Sequence, residues 1–159
     1  MREPIHPKPV VIYTDGSTLI TNPGNHGGWA FYMLWNRHEF IQSGRVSSEI
    51  ASVTNNQMEL QAAIEALKAM KKPSNVVLYS DSQYLVNGAR KWSKRWSENR
   101  WRGVKNPELW QALLAAAAPH NMSWRWVKGH SGDELNDQVD NWAKLAAQGH
   151  PNSYRRRIA

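Results

Sequence analysis

The sequence predicts an α/β fold in which helices flank one five-stranded mixed sheet. Two short runs of mainly β-branched residues, at 10–12 and 76–78, have the length of buried strands, and an aspartate follows each. Between them lie an aromatic-rich segment, a second apolar segment, and a stretch with apolar side chains at helical spacing. A strand, a hairpin, a helix and another strand in this order are typical of a sheet with a parallel crossover.

The five strands are predicted at residues 9–15, 29–35, 39–46, 76–80 and 122–127. The first three are predicted to pair antiparallel, because strands that are consecutive in sequence usually lie side by side. The fourth is predicted to run parallel to the first through a crossover helix, and the fifth to run the same way. Residues 18–28 contain many turn formers and are predicted to form a loop.

The helices are predicted from periodic apolar residues and from their caps. The first begins at Thr54 or Asn55, either of which can act as N-cap, and ends at the basic residues and proline of 71–73. Further helical segments are predicted at 82–89, 91–99 and 107–118, with a break at Asn87–Gly88. The last helix has an apolar face formed by Val139, Trp142, Ala143 and Ala146.

The length of 159 residues is enough for one domain with a sizeable core. We predict an irregular N-terminal arm at 1–8, a single domain at 9–148 and a basic, poorly ordered tail at 149–159. No internal repeat is visible, and a monomer is expected.

Composition limits the classes of function. The chain has no cysteine, which excludes disulfides and cysteine-ligated metals, and no apolar run long enough to span a membrane. The N-terminal residues lack the apolar core of a signal peptide, so a cytoplasmic location is expected. The formal net charge of +7 and nine tryptophans favour a nucleic-acid partner, because basic side chains attract phosphates and aromatic rings stack on bases.

Four acidic residues are predicted to meet at one end of the sheet. Asp15 and Asp81 follow the two parallel strands, and Glu59 and Asp140 lie in the first turns of two helices. Carboxylate oxygens suit Mg²⁺ or Mn²⁺, and two such ions about 3.5–4 Å apart can activate a water and stabilise the leaving oxygen of a phosphodiester. Without metal, crowding should raise the pKa of at least one of these acids.

Each acid alone also fits an ordinary structural role. Asp15 could be a turn residue, Asp81 a helix N-cap, and the other two solvated acids in first turns. His130, between two glycines, could relay protons beside a metal site or be an exposed loop histidine. The four acids together, in a basic chain, favour the metal-site interpretation.

Four motifs carry a resemblance to a known family. They read Thr14-Asp15-Gly16-Ser17, Thr54-Asn55-Asn56-Gln57-Met58-Glu59-Leu60, Ser80-Asp81-Ser82-Gln83-Tyr84, and Val127-Lys128-Gly129-His130-Ser131-Gly132 followed by Asn136 and Asp140. In this order, over about residues 10–147, the chain resembles type 1 ribonuclease H. Together the four motifs are specific for this family, whereas any one of them alone is weak evidence for it.

The resemblance implies the RNase H-like fold and an endonuclease that hydrolyses the RNA strand of RNA–DNA hybrids. It implies two Mg²⁺ ions, with Mn²⁺ as a possible substitute, held by Asp15, Glu59, Asp81 and Asp140. It implies 5′-phosphate and 3′-hydroxyl products, and His130 as an aid to proton transfer and product release. Water is the attacking group, which agrees with the absence of a nucleophilic Cys or Ser motif.

Recognition of the hybrid is expected from amides and from a basic segment. Small amides can read 2′-hydroxyls, and by resemblance the candidates are Asn22, Asn55 and Gln83. Thr54 and Asn106 match a pocket for a DNA phosphate. Residues 90–105, which we call the handle, contain seven basic residues and one acidic residue, an excess of +6, and resemble the family's protrusion that grips DNA. Its predicted contacts are Trp92, Lys94, Arg95 and Trp96, although part of the tryptophan face is also expected in the core.

The chain departs from the family's usual pattern at three places. The 18–28 loop is longer than usual, and Asp137 stands where the family often has Glu. The handle is shorter after Trp101, which should weaken its binding to DNA. Two other interpretations stay open: a hybrid-binding module without catalysis, and another metal nuclease or transposase on the same fold. Ser17 argues against a related proofreading exonuclease, which usually has a second acid at this position on strand one.

Overall fold

The computed structural model describes residues 5–20, 25–129 and 132–158. The predicted α/β class is confirmed, but the sheet has six strands, ordered β5-β4-β1-β2-β3-β6. The elements are β1 Val10–Ile20, β2 Asn25–Trp35, β3 His38–Ser48, α1 Asn55–Lys68, β4 Asn75–Ser80, α2 Gln83–Asn87, a π-helical turn Gly88–Trp92, α3 Ser93–Glu98, α4 Pro107–Ala117, β5 Asn121–Trp126, α5 Glu134–Ala147 and β6 Ser153–Arg157. Among the described residues, no helix is both long and apolar enough to cross a bilayer.

The pairing of the sheet agrees with the prediction. β1, β2 and β3 are antiparallel neighbours, while β4 is parallel to β1 and β5 is parallel to β4. Asn36 and Arg37 link β2 to β3 with φ angles of 45° and 70°. Two successive positive φ angles fit a tight hairpin whose twist matches that of the strands.

The predicted loop at 18–28 is wrong at both ends. The β1–β2 ladder continues to the Ile20–Asn25 pair, so residues 18–20 and 25–28 are strand. The glycines that indicated a loop instead permit close packing: a Cβ on Gly28 would lie 2.0 Å from the carbonyl oxygen of Ala143 in α5. A helix can therefore cross the sheet directly over this strand.

Two apolar clusters fix the helices on opposite faces of the sheet. The larger cluster joins β1, β2 and β4 to α1 and α4 around the fully buried side chains of Ile12, Leu60 and Trp110. The smaller cluster packs Val139 and Ala143 of α5 on Ala30 and Tyr32. Both helices that carry predicted acids are thus held against the central strands β1 and β2.

The predicted break at Asn87–Gly88 is absent. The chain stays helical from α2 through the π-helical turn into α3. A Cβ on Gly88 would lie 2.1 Å from Cη2 of Trp110, so this glycine admits the Trp110 ring next to the helix and does not end it. Trp110 also contacts Trp96, with ring centroids 5.1 Å apart, which ties the start of the handle to the core.

The basic tail is not poorly ordered throughout, because its residues 153–157 form β6 along the free edge of β3. Every β6 side chain is exposed, so the tail lacks the alternating apolar pattern that predicts a strand. Polar contacts hold it instead. Nη2 of Arg156 donates to Oε1 of the buried Glu39 at 2.8 Å, and the guanidinium of Arg155 lies 3.8 Å from the centroid of the Phe40 ring. The division into arm, domain and tail stays a prediction.

Candidate active site

Asp15 and Asp81 lie at the same end of the parallel pair β1–β4. The ladder between these strands ends at the Tyr13–Tyr79 pair. Asp81 directly follows β4, as predicted, whereas Asp15 lies inside β1, which continues past β4 while still paired to β2. The two carboxylates therefore occupy the crevice where β1 extends beyond its parallel neighbour.

Glu59 reaches the same crevice from α1, and Gly16 makes its approach possible. A Cβ on Gly16 would lie 2.4 Å from the carbonyl carbon of Met58 and 2.5 Å from the backbone nitrogen of Glu59. The backbone N–H of Gly16 donates to Oδ1 of Asp15 at 2.8 Å and to Oε1 of Glu59 at 3.2 Å. One small residue thus allows the contact and supplies a donor to both acids.

Asp15, Glu59 and Asp81 form a group in which one oxygen from each lies within 4.8 Å of the others. Asp15 and Glu59 are buried, with 2% and 7% of their surface exposed. Among the described residues, neither Oδ2 of Asp15 nor Oε2 of Glu59 has a hydrogen-bond donor. Buried anionic oxygens without donors are unfavourable unless a proton or a cation neutralises them, so this donor set fits a divalent metal.

Asp140 lies beside this group without belonging to it. It is in the second turn of α5, and its Oδ2 pairs with Nζ of Lys144 at 2.9 Å. It remains close enough to Asp15 and Glu59 to raise the pKa of both carboxyl groups, as a smaller contribution beside that of burial. The structure therefore brings three of the four predicted acids together and engages the fourth with a lysine.

The electrostatics of the group follow from burial. Burial, and then the charge of Glu59, raise the pKa of Asp15 well above its ordinary value of 3.8. Burial also raises the pKa of Glu59, with Asp81 and Asp140 acting in the same direction. The raised pKa predicted from crowding is present, and its largest cause is desolvation.

Ser82, and not Asp81, caps α2. The Ser82 hydroxyl accepts the N–H of Leu85 at 3.1 Å, and the Ser82 N–H donates to the hydroxyl of Ser80 at 3.0 Å. The capping role considered for Asp81 is thus filled by its neighbour.

Three residues around the acids had no predicted role: Gly16, Trp126 and Lys144. Trp126 donates its indole N–H to the backbone carbonyl of Asp81 at 3.0 Å. Its place in an alternating Trp124–Trp126 strand gave no signal for this contact. Lys144 could have been found from sequence, because residues four apart on a helix are neighbours and it follows Asp140 by four.

Two predicted site residues, Asn22 and His130, lie outside the described residues. Asn55 lies at the start of α1, where its Oδ1 accepts the hydroxyl of Thr18 at 2.8 Å. This bond joins α1 to the extended β1 strand. Gln83 is the exposed first residue of α2, two positions after Asp81.

Thr54 and Asn106 are linked through Gln57. Thr54 caps α1 in a capping box: its hydroxyl accepts the Gln57 N–H at 3.1 Å, and its own N–H donates to the Gln57 side chain at 3.0 Å. The amide nitrogen of Gln57 then donates to Oδ1 of Asn106 at 3.4 Å. Asn106 has a φ of 56° and precedes α4, so two helix N-termini face one region.

The handle combines a packed base with an exposed charged face. Trp96 is partly buried against the core, whereas Trp92 is 40% exposed, and their ring centroids are 5.8 Å apart. Lys94 and Arg95 are exposed on α3. As expected, part of the tryptophan face packs inward, while the Trp92 ring faces solvent; its contact with nucleic acid stays a prediction.

A sequence model of the RNase H family matches residues 7–148. A protein of Legionella pneumophila (strain Corby) named Ribonuclease H is 47% identical over 145 residues, which cover 87% of this chain and 96% of that protein. The solved structure of LC9-RNase H1, described as a type 1 RNase H with the type 2 active-site motif, has a TM-score of 0.79 and 27% identity over 99% of this chain and 81% of its own.

The fold also occurs in a larger protein. A foamy viral protease-reverse transcriptase, solved in complex with an RNA/DNA hybrid, matches 94% of this chain and 22% of its own length with a TM-score of 0.69 and 16% identity. At that identity the likeness shows the fold. With the family match over most of its length and the close curated relative, this chain belongs to the RNase H family and is a ribonuclease H enzyme.

Proposed function

We propose that this chain is an endonuclease that hydrolyses the RNA strand of RNA–DNA hybrids with two divalent metal ions, leaving 5′-phosphate and 3′-hydroxyl ends. The observation that carries the proposal is the group of Asp15, Glu59 and Asp81, with their oxygens within 4.8 Å and two buried oxygens without donors. A site of this kind is costly for stability and is maintained in a folded protein when it serves a function.

Asp15, Glu59 and Asp81 would hold the metal, and Asp140 would join them once its carboxylate turns from Lys144. When bound, divalent ions activate water and stabilise the leaving oxygen of a phosphodiester. Mg²⁺ is the proposed ion, with Mn²⁺ as a substitute, because the donor set contains oxygen only.

The residues around the acids orient the donor set. The Gly16 N–H holds one oxygen of Asp15 and one of Glu59, which directs their other oxygens away from that donor. Lys144 limits the negative charge at Asp140 until substrate and metal arrive. His130 is proposed to carry a proton during hydrolysis and to aid product release.

Substrate discrimination is assigned to residues on both sides of the acids. Asn22, Asn55 and Gln83 are proposed to read 2′-hydroxyls of the RNA strand, since amides both donate and accept. Thr54 and Asn106, joined through Gln57, are proposed to bind a phosphate of the DNA strand at two converging helix N-termini. Trp92, Lys94, Arg95 and Trp96 extend this DNA contact along the handle. A monomer acting in the cytoplasm stays our prediction.

The first experiment presents one sequence as an RNA–DNA hybrid, as duplex RNA and as duplex DNA, each with Mg²⁺ and with EDTA. We expect metal-dependent cleavage of the RNA strand of the hybrid alone, and Asp81→Asn should abolish cleavage while leaving hybrid binding largely intact. Asp137→Asn, at an exposed position of α5, is the matched control. Tight hybrid binding by the wild type without cleavage in Mg²⁺ or Mn²⁺ would favour a binding module instead.

A second experiment tests the handle. Replacing Lys94 and Arg95 by alanine should weaken hybrid binding and reduce the slope of log affinity against log salt by about one to two, because each phosphate contact contributes about 0.9. Replacing Lys68, the last residue of α1, and Lys71, three residues beyond it, removes the same charge from exposed positions outside the handle and serves as a control. Equal salt slopes in the two double variants would contradict the handle assignment.

A further inference from the structure

Two residues at the end of β5 and just beyond it lie next to Asp81: Trp126 bonds to its backbone carbonyl, and Gly129 lies beside its side chain. Beyond the last β4–β5 pair, Ser80 and Trp126, the Val127 N–H still donates to the Ser80 carbonyl at 2.9 Å. Asp81 is therefore the first residue after the last β4–β5 pair.

The first contact is the indole of Trp126. Its N–H donates to the Asp81 backbone carbonyl at 3.0 Å, although 45% of the Trp126 surface is exposed. The backbone of Trp126 is already paired with Ser80 in the ladder, so the indole N–H adds a second link to β4, one residue farther along that strand. This bond fixes the peptide from which the Asp81 side chain extends.

The second feature is the close approach of Gly129 to the Asp81 carboxylate, which is possible because glycine has no side chain. A Cβ there would lie 2.9 Å from Oδ2 of Asp81 and 3.6 Å from its Cβ and Cγ. The atom nearest to the added group is the end of a movable side chain. Gly129→Ala would therefore displace the carboxylate and leave the backbone in place, in contrast to Gly16, where the added Cβ would meet backbone atoms.

We propose that Trp126 and Gly129 are positioning residues that set the location of the Asp81 carboxylate, Trp126 by holding its backbone and Gly129 by leaving room for its Oδ2. The proposal rests on the proposed function in that Asp81 is taken as a metal ligand. Partners that orient a metal ligand affect metal affinity even though they never touch the ion.

The test compares Trp126→Phe and Gly129→Ala with the wild type, and uses Trp35→Phe as the matched aromatic control. Trp35 lies at the far end of β2, where it contacts His6. Phenylalanine at 126 keeps the ring and removes the donor. The readouts are Mn²⁺ affinity by calorimetry without substrate, the Mg²⁺ concentration for half-maximal cleavage, hybrid affinity in EDTA, and the melting temperature.

We expect both variants to bind Mn²⁺ more weakly, on the order of tenfold, and to need correspondingly more Mg²⁺ for cleavage. Hybrid affinity in EDTA should stay within about twofold, because Asp81 is assigned to the metal and not to the substrate. A general structural defect would instead lower the melting temperature and weaken hybrid binding together.

Each outcome decides a different question. Mn²⁺ affinity within about twofold of the wild type in both variants would overturn the proposal, and a loss in Gly129→Ala alone would remove Trp126 from it. If the wild type itself failed to bind Mn²⁺, the proposed function would fall first. The wild-type titration therefore separates failure of the metal site from failure of its positioning residues.

Discussion

Replacing Asp15 with asparagine should make the metal-free protein more stable while abolishing cleavage. Asp15 is 2% exposed, and burial beside Glu59 raises the pKa of its carboxyl group above neutral pH. Keeping a group with an ordinary pKa of 3.8 protonated at pH 7 costs about 4 kcal/mol, at about 1.4 kcal/mol per pH unit. Asparagine has nearly the same shape and carries no charge, so it should recover about 2–4 kcal/mol of unfolding free energy.

The pH dependence has a definite sign. Because the folded-state pKa of Asp15 is raised, the folded state binds more protons than the unfolded state above about pH 4. The stability of the metal-free wild type is therefore greatest at acidic pH and falls by up to about 1.4 kcal/mol per pH unit as pH rises toward the folded-state pKa. Mg²⁺ should oppose this loss, since it replaces the proton in the folded state.

The assay is urea unfolding in EDTA and in Mg²⁺ at about pH 5, 7 and 8, with Asp137→Asn as the exposed control, expected within about 0.5 kcal/mol of the wild type. A gain of about 2–4 kcal/mol in Asp15→Asn at pH 7 in EDTA, with loss of the Mg²⁺ effect, is the expected result. Equal or lower stability of Asp15→Asn at pH 7 in EDTA would refute the reasoning, because it would show that the buried carboxyl is not energetically costly.

Three further changes test other parts of the structure. Gly16→Ala should lower the melting temperature and abolish cleavage, because its Cβ would lie 2.4 Å from α1 backbone; cleavage at wild-type rate would contradict this close approach. Arg156→Ala should cost about 1–3 kcal/mol of unfolding free energy, measured in urea, because it removes the ion-pair partner of the buried Glu39 carboxylate; an unchanged value would mean that this ion pair adds no stability. Gln57→Glu keeps the capping acceptor but loses the donor to Asn106, so KM for the hybrid should rise while kcat and the melting temperature change little, and an unchanged KM would exclude a role for this link in binding.

The sequence alone was enough to predict the order of the elements from β1 to α5 and to place Asp15 and Asp81 near each other. Short β-branched runs before Asp15 and Asp81 placed both residues correctly at one end of a parallel pair, because periodicity and crossover rules depend only on local pattern. The apolar face of α5 was also predicted correctly at Val139, Ala143 and Ala146. These features depend on local sequence patterns and general connection rules, so one amino-acid sequence is enough to predict them.

Glycines were the residues that sequence reasoning interpreted least well. Gly28 and Gly88 were taken as signals for a loop and a break, yet each lies inside a regular element where another backbone or ring comes close. A glycine in a turn and a glycine under a crossing helix look the same in sequence. Only the position of Ala143 or Trp110, far away along the chain, distinguishes the two.

The tertiary structure alone decided which residues from distant elements meet, both at β6 and around the acids. β6 has no apolar pattern, and it forms because Glu39 and Phe40 on β3 offer partners to Arg156 and Arg155. The Gly16 N–H shared by Asp15 and Glu59 and the Trp126 bond to Asp81 likewise join groups from different elements that meet only after packing. The sequence determined which carboxylates the protein has, and burial between packed elements raised the pKa of Asp15 and Glu59, since desolvation depends on the whole fold.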